Sequence, residues 1–246
     1  MRIAFFADIH GNREAFTACL DHAGRSRIDR YVFLGDYVGY GADPVFVIET
    51  VMAHVERGAI AVLGNHDAAA LEPDPRMSGA AFTAIAWTRD RLNAAHRAFI
   101  AGLQFFAEDG GRLYVHANTY APGAWDYVTG VHSASKCLMA SRAPATFCGH
   151  THVPMLFHMS TTGKIASFRP VDRIDIPLMM WRRWVAVIGS VGQPRDHNPA
   201  ACYAILDVTR GILTYMRVPY DVDTAARKIR DAGLPIGLSH RLAEGY

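Results

Sequence analysis

The sequence predicts an α/β fold with α+β character, one domain over residues 1–246 in which two sheets pack together. Three observations carry that expectation. Strand-like and amphipathic segments alternate up to about residue 150, which favours mainly parallel strands with helices packed on them. From Val153 onward, short strand-like runs follow one another between turn residues, which favours antiparallel pairing. Nothing along the chain reads as a linker, an internal repeat or a low-complexity tract.

In chain order, Ile3 to Ala7 is a short apolar run read as a strand, and Phe16, Cys19, Leu20 and Ala23 form the stripe of a following helix. Tyr31 to Leu34 is the second strand. A glycine-rich loop leads to Asp43 and Pro44, an N-cap and first helical position, with Val45, Ile48, Met52 and Val55 as the buried face. Ala59 to Leu63 is the third strand. Residues 79 to 103 read as two helices broken near Asn93, and the strand Leu113 to Val115 follows Gly110 and Gly111. A helix over Ser133 to Ser141 and a strand over Ala145 to Cys148 complete the alternating part. Val153 to Phe157, Lys164 to Phe168, Trp184 to Ile188, Cys202 to Asp207 and Ile212 to Val218 are the later strands, and Asp223 to Ala232 is a closing helix.

With 50% hydrophobic and 20% charged residues, the chain is neither disordered, collagen-like nor a charged coiled coil. A formal charge of +2 argues against a dedicated nucleic-acid binder. The apolar run after Arg2 stops at Asp8, too short for a signal peptide, and no stretch approaches a membrane span, so no membrane association is expected and cytoplasm is the expected compartment. Cys19, Cys137, Cys148 and Cys202 are scattered without a CxxC pair and read as reduced and buried.

The 12 histidines matter through their positions. Five strand-like segments end in groups able to bind metal: Asp8 and His10, then Asp36, then Asn65 and His66, then His116, then His150 and His152. Each alone reads as a turn or loop residue. The set does not, because the C-terminal strand ends of an α/β sheet converge on one crevice. The blocks Asp8-Ile9-His10-Gly11-Asn12, Gly35-Asp36, Gly64-Asn65-His66-Asp67, His116 and Gly149-His150-Thr151-His152 resemble those of the calcineurin-like metallophosphoesterases, particularly their small bacterial and archaeal single-domain members. Gly189 to Arg195 resembles that group's C-terminal signature. Ala117 stands where the family often has Gly, and Val187-Ile188 where it often has Asn-Pro; neither change removes a ligand.

The resemblance implies a four-layer αββα sandwich of two mixed sheets flanked by helices, with two divalent transition-metal ions at the strand ends. Asp8, His10, Asp36 and His152 would hold one ion, and Asp36, Asn65, His116 and His150 the other, with Asp36 shared. Mixed carboxylate, imidazole and amide donors suit manganese first, with iron, zinc or nickel also compatible. It implies in-line attack on phosphorus by a metal-bridging hydroxide. His66 would be the non-ligand catalytic group, stabilising the transition state or protonating the leaving oxygen, and Asp67 either orients it or serves the loop. Asn12, Asn118, Trp125 and Arg195 are the substrate-binding candidates; an ion pair between Arg195 and Asp196 is the alternative use of that cation. The expected partner is a small phosphorylated substrate, monoester or diester, with dinucleoside polyphosphate hydrolysis or phosphoprotein dephosphorylation as alternative activities. A catalytically silent metal-binding scaffold is the rival function. The basic and aromatic run Met179 to Trp184 reads as an edge strand or a contact between copies in a homo-oligomer.

Overall fold

The computed structural model describes residues 1–77 and 79–246. The chain begins β1 (Arg2–Phe6), α1 (Arg13–Gly24), β2 (Arg30–Phe33), α2 (Pro44–Glu56), β3 (Ile60–Ala61), α3 (Asn65–Leu71), α4 (Gly79–Arg89) and α5 (Ala94–Gly102). It continues through β4 (Phe106–Asp109), β5 (Arg112–Val115), α6 (Val131–Ala140), β6 (Ala145–Cys148), β7 (Met155–Met159), β8 (Ile165–Phe168) and β9 (Asp175–Pro177). It ends with β10 (Arg183–Val187), β11 (Ala201–Asp207), β12 (Ile212–Val218), α7 (Val222–Asp231) and α8 (Ile236–Glu244).

Among the described residues these strands form two six-stranded sheets, ordered β3-β2-β1-β11-β12-β9 and β4-β5-β6-β10-β7-β8. Both are mixed. β1 runs parallel to β2 and antiparallel to β11, while β10 runs parallel to β6 and antiparallel to β7. The period of two along a strand separates the layers. Ile3, Phe5 and Ala7 of the first sheet meet Trp184, Ala186 and Ile188 of the second in the core between the sheets. Ala4 and Phe6 turn the other way, onto Phe16 and Cys19 of α1 and Val47 and Val51 of α2. Val185 and Val187 likewise face Ala134, Cys137 and Leu138 of α6. Helix, sheet, sheet, helix is therefore the order of layers, as the family resemblance implies. The stacked rings of Phe5 and Phe147, 4.2 Å apart, join the two sheets at the middle.

Four elements lie outside the sequence reading. α3 starts directly at Asn65, where the metal-ligand motif hid a helix whose Ala68-Ala69-Ala70 run favours it. β4 pairs with β5 through Gly110 and Gly111, both with positive φ (53° and 77°), the backbone of a tight hairpin. β9 has three residues, too few to show a period, and α8 follows Pro235 at the end of the chain. In α2 the buried face runs through Val47, Ile48 and Val51, not Val45, because the helix is covered by α1, α5 and β3 together. Asp43 does stand at its N-cap but makes no capping bond, its carboxylate going instead to Lys228 at 2.8 Å. All four cysteines are buried and unbonded. Among the described residues no helix is long and apolar enough to cross a membrane.

Candidate metal centre

The strand ends deliver their side chains through an unusual backbone. Asp8, His10, Asp36, His150 and His152 have φ of 53°, 50°, 57°, 69° and 60°, the left-handed region that L residues other than Gly seldom occupy. Such conformations persist only where the surroundings fix them. Here the loops fix one another: Asp8 N–H donates to the Gly35 carbonyl at 3.1 Å, and the N–H groups of Ile9 and His10 both donate to the Asp36 carbonyl at 2.9 Å. The loop after β10 joins them, since Gly192 N–H donates to the Asp8 carbonyl at 2.9 Å. At Gly64 the need is for space, because a Cβ there would lie 2.2 Å from Asp36 N and 2.3 Å from its Oδ1.

The result is two buried donor groups, Asp8, His10, Asp36 and His152 in one and Asp36, His116 and His150 in the other, each with ligand atoms within 4.8 Å of one another. Asp36 belongs to both. Its Oδ2 lies 3.6 Å from His10 Nε2 and 3.3 Å from His116 Nε2. Asn65 joins the second group, its Oδ1 3.1 Å from His116 Nε2.

Each imidazole turns its far nitrogen to a backbone carbonyl. His10 Nδ1 faces Val38 O at 3.1 Å, His116 Nδ1 faces Leu34 O at 2.7 Å, His150 Nε2 faces Trp125 O at 2.8 Å and His152 Nδ1 faces Gln193 O at 2.6 Å. A carbonyl only accepts, so those nitrogens carry the hydrogens and the other nitrogens point inward. Burial holds His10 and His152 well below the usual imidazole pKa and brings His150 down to about 3, so these rings are neutral with bare lone pairs at the centre. His10 Nε2 and His152 Nε2 then face each other at 3.0 Å. Two lone pairs in contact repel, and a cation between them removes the conflict. The donor set thus fits a divalent transition metal.

The carboxylates are electrostatically uneven. Burial raises Asp8 to about 8, against the pull of the His116 charge. Burial also opposes ionisation of Asp36, but His116 and His66 outweigh it and hold Asp36 well below the carboxylate range. His116 is the converse: burial disfavours its charge, yet the Asp36 carboxylate lifts it to about 9.

His66 lies beside both groups without belonging to either. It is buried, its ring 4.5 Å from Tyr40 and 4.7 Å from His10, and its Nδ1 has no hydrogen-bond partner among the described residues. Asp67 does not orient it. That carboxylate instead accepts from the N–H groups of Asp36 (2.8 Å), Tyr37 (2.9 Å), Gly64 (3.1 Å) and Val38 (3.3 Å), tying α3 to the loop after β2.

The four substrate candidates separate. Arg195 lacks the ion pair with Asp196, which pairs with Arg217 instead. Its guanidinium bonds Gln193 Oε1 at 2.9 Å and the Tyr40 hydroxyl at 3.4 Å, and among the described residues no carboxylate forms an ion pair with it, so its charge stands beside the donor cluster. Trp125 borders an open cleft of about 260 Å³ together with His66, Asn65, His150, Tyr127 and Arg76. Asn12 and Asn118 are buried and otherwise engaged. Asn12 caps α1 through Ala15 N–H and donates to Gly192 O at 2.9 Å; Asn118 accepts from Ala121 N–H and donates to Asp126 O at 3.1 Å. These bonds hold the loops that frame the site. Tyr40 and Arg76 are not among the sequence candidates, and Gln193 enters there only as part of the Gly189 to Arg195 signature. Tyr40 carried a signal in its two flanking glycines within the loop after Asp36, whereas Arg76 sits in a loop with no motif.

The comparisons with known proteins agree with this geometry. The model of the calcineurin-like phosphoesterase family matches residues 1–210. The uncharacterised protein MJ0912 of Methanocaldococcus jannaschii is 31% identical, with 99% of this chain and 98% of that protein covered. The crystal structure of a metallophosphoesterase from Sphaerobacter thermophilus superposes with a TM-score of 0.88 at 33% identity, covering 100% of this chain and 99% of the other. PH1004 from Pyrococcus horikoshii OT3, at 19% identity and a TM-score of 0.78 over 100% of this chain and 98% of its own, shares the fold. A chain matched by the family model from its first residue to residue 210, with a buried Asp and His cluster at the ends of its strands, belongs to the calcineurin-like phosphoesterases.

Proposed function

We propose that the protein is a dinuclear metal-dependent phosphoesterase that hydrolyses a small phosphorylated substrate. The observation that carries the reading is the contact of His10 Nε2 with His152 Nε2 at 3.0 Å, two inward lone pairs held there by carbonyls behind both rings. Asp8, His10, Asp36 and His152 would hold one ion and Asp36, Asn65, His116 and His150 the second. Such ions would supply Lewis acidity, polarising a phosphoryl oxygen and lowering the pKa of a bound water.

The remaining work falls to side chains. Arg195 offers its planar fork to phosphate oxygens, and the Tyr40 hydroxyl and Gln193 hold that fork in place. His66, neutral because burial lowers its pKa, keeps one N–H to donate toward charge developing on the leaving oxygen. The leaving group extends into the cleft beside Trp125 and Tyr127. Manganese is the first choice of metal on donor chemistry.

The test is metal analysis of the purified protein, followed by assays on paired phosphomonoesters, phosphodiesters and a dinucleoside polyphosphate before and after chelation. Up to two ions per chain and metal-restored turnover are expected. Full turnover with the metal removed overturns the mechanism. Two bound ions with no turnover on any phosphoester favours the silent scaffold.

A further inference from the structure

The cleft beside the second donor group contains an aromatic surface that the centre itself does not use. Tyr127 lies flat on the ring of His150, centroids 4.2 Å apart and planes 11° from parallel, and is still 51% exposed. His150 thus covers one face of the ring, and the cleft that Tyr127 lines meets the rest. The segment carrying it is pinned on both sides. The Trp125 carbonyl meets His150 Nε2 at 2.8 Å, the Asp126 carbonyl accepts from Asn118 Nδ2 at 3.1 Å, and Val128 is buried. An open ring held this firmly loses little freedom when a ligand stacks on it.

Trp125, the aromatic candidate from the sequence, is engaged elsewhere, its ring packing against Phe105 at 5.6 Å and His116 at 5.8 Å. The acid and the cation that line the cleft satisfy each other. Arg76 grips Asp74 with two bonds, Nε to Oδ1 at 2.9 Å and Nη2 to Oδ2 at 2.7 Å. Asp126 is exposed and does not line the cleft. What the cleft presents beside Tyr127 therefore suits an uncharged planar group, recognised by its face.

Arg195 stands by the first donor group instead, its N–H donating to the His152 carbonyl at 3.2 Å and its guanidinium to the Tyr40 hydroxyl. The cleft opens beside Asn65 and His150 of the second group, with His66 on its border. On the phosphoesterase reading, on which this inference rests, a phosphoryl group gripped from the Arg195 side directs its ester oxygen toward His66 and the rest of the alcohol into the cleft. A ring on the outer face of Tyr127 forms a second layer over His150, roughly 9 Å from that imidazole. This separation suits a spacer of a few bonds between ring and phosphorus better than a single oxygen. We propose that the substrate is a phosphoester whose alcohol carries an uncharged planar ring a few bonds from phosphorus, as a base is carried on a sugar, and that Tyr127 selects it by stacking.

Phosphonates test it, because their carbon–phosphorus bond resists hydrolysis and binding is measured apart from turnover. The full chain, loaded with manganese, is titrated calorimetrically with methylphosphonate, phenylphosphonate, phenylpropylphosphonate and cyclohexylpropylphosphonate. Phenylpropylphosphonate should bind about 10-fold more tightly than methylphosphonate. It should also exceed its cyclohexyl counterpart, equally apolar but not planar, by about 3-fold or more. Tyr127→Phe should keep the preference for phenyl over cyclohexyl, and Tyr127→Leu should abolish it. Equal affinity for those two compounds in the wild type overturns the proposal, as does a preference that survives Tyr127→Leu. Phenylphosphonate binding as tightly as phenylpropylphosphonate overturns the spacer and points to aryl esters. No binding of any of the four by protein that holds its metal overturns the phosphoesterase reading and this proposal with it. The expected preference without turnover on any phosphoester supports the ligand class and strikes only the enzymatic reading.

Discussion

Asp36 is the side chain that the two donor groups share. Beyond its place in both donor groups, its Oδ1 accepts from His66 N–H at 2.8 Å, so it also positions the start of α3. Asp36→Asn keeps the size and one oxygen but removes the charge. Bound metal should fall below one ion per chain by elemental analysis, while Asn65→Ala, which removes a ligand from one group only, should retain the other ion. His66 predicts the opposite pattern. His66→Asn should lower turnover about 10² to 10⁴-fold with metal content near wild type, and a variant that loses its metal would place His66 among the ligands. A smaller loss on esters with good leaving groups would identify proton delivery; an even loss would leave hydrogen-bond stabilisation as its role. The clustering of these donors was legible in the sequence because they recur at successive strand ends. The uses of Asn12, Asn118 and Asp67 were not, since a side-chain amide or carboxylate near a motif reads the same whether it meets a substrate or a loop N–H.

At the scale of elements, the loop after β2 and the start of α3 behave as one unit through Asp67. Asp67→Ala leaves four N–H groups without their acceptor, and we expect a loss of about 3 kcal/mol in urea unfolding of the metal-free protein. A change within ~0.5 kcal/mol would show that water replaces the carboxylate easily. The long amphipathic and alternating segments could be read from their periods, and Asn93 marked the start of α5, where its side chain accepts from His96 N–H at 2.9 Å. β4 and β9 escaped because edge strands bury little. In β4 exposed and half-buried positions alternate with no fully buried residue, so the pattern carries no apolar face to find.

At the scale of the whole molecule, binding of the proposed ions would be coupled to protons. In the metal-free state His116 titrates at about 9 and Asp8 at about 8, so near pH 7 both hold a proton that a metal must displace. Affinity for the metal should therefore rise with pH and level off above about 9. Calorimetric titration at pH 7 in two buffers of different ionisation enthalpy measures the protons released; a release near zero contradicts this. The centre also draws on both halves of the sandwich, with Asp8, His10 and Asp36 following strands of the first sheet and His116, His150 and His152 following strands of the second.

That shared construction bears on the order in which the chain is made. Every proposed ligand has been synthesised once residue 152 has been translated, yet β11, the inner neighbour of β1, and β10, the inner neighbour of β6, are still to come. A nascent chain at that stage has the complete donor set and lacks the strands that hold it in place. At about 5 to 20 residues per second, several seconds of synthesis pass before β11 is complete. A fragment ending near residue 160 should accordingly bind no metal tightly despite carrying all seven ligands, and adding the remaining segment in trans should recover binding only as far as β10 and β11 can still insert between their neighbours. Ion capture would then be a late event in the life of the chain, reporting that its last strands have been built in.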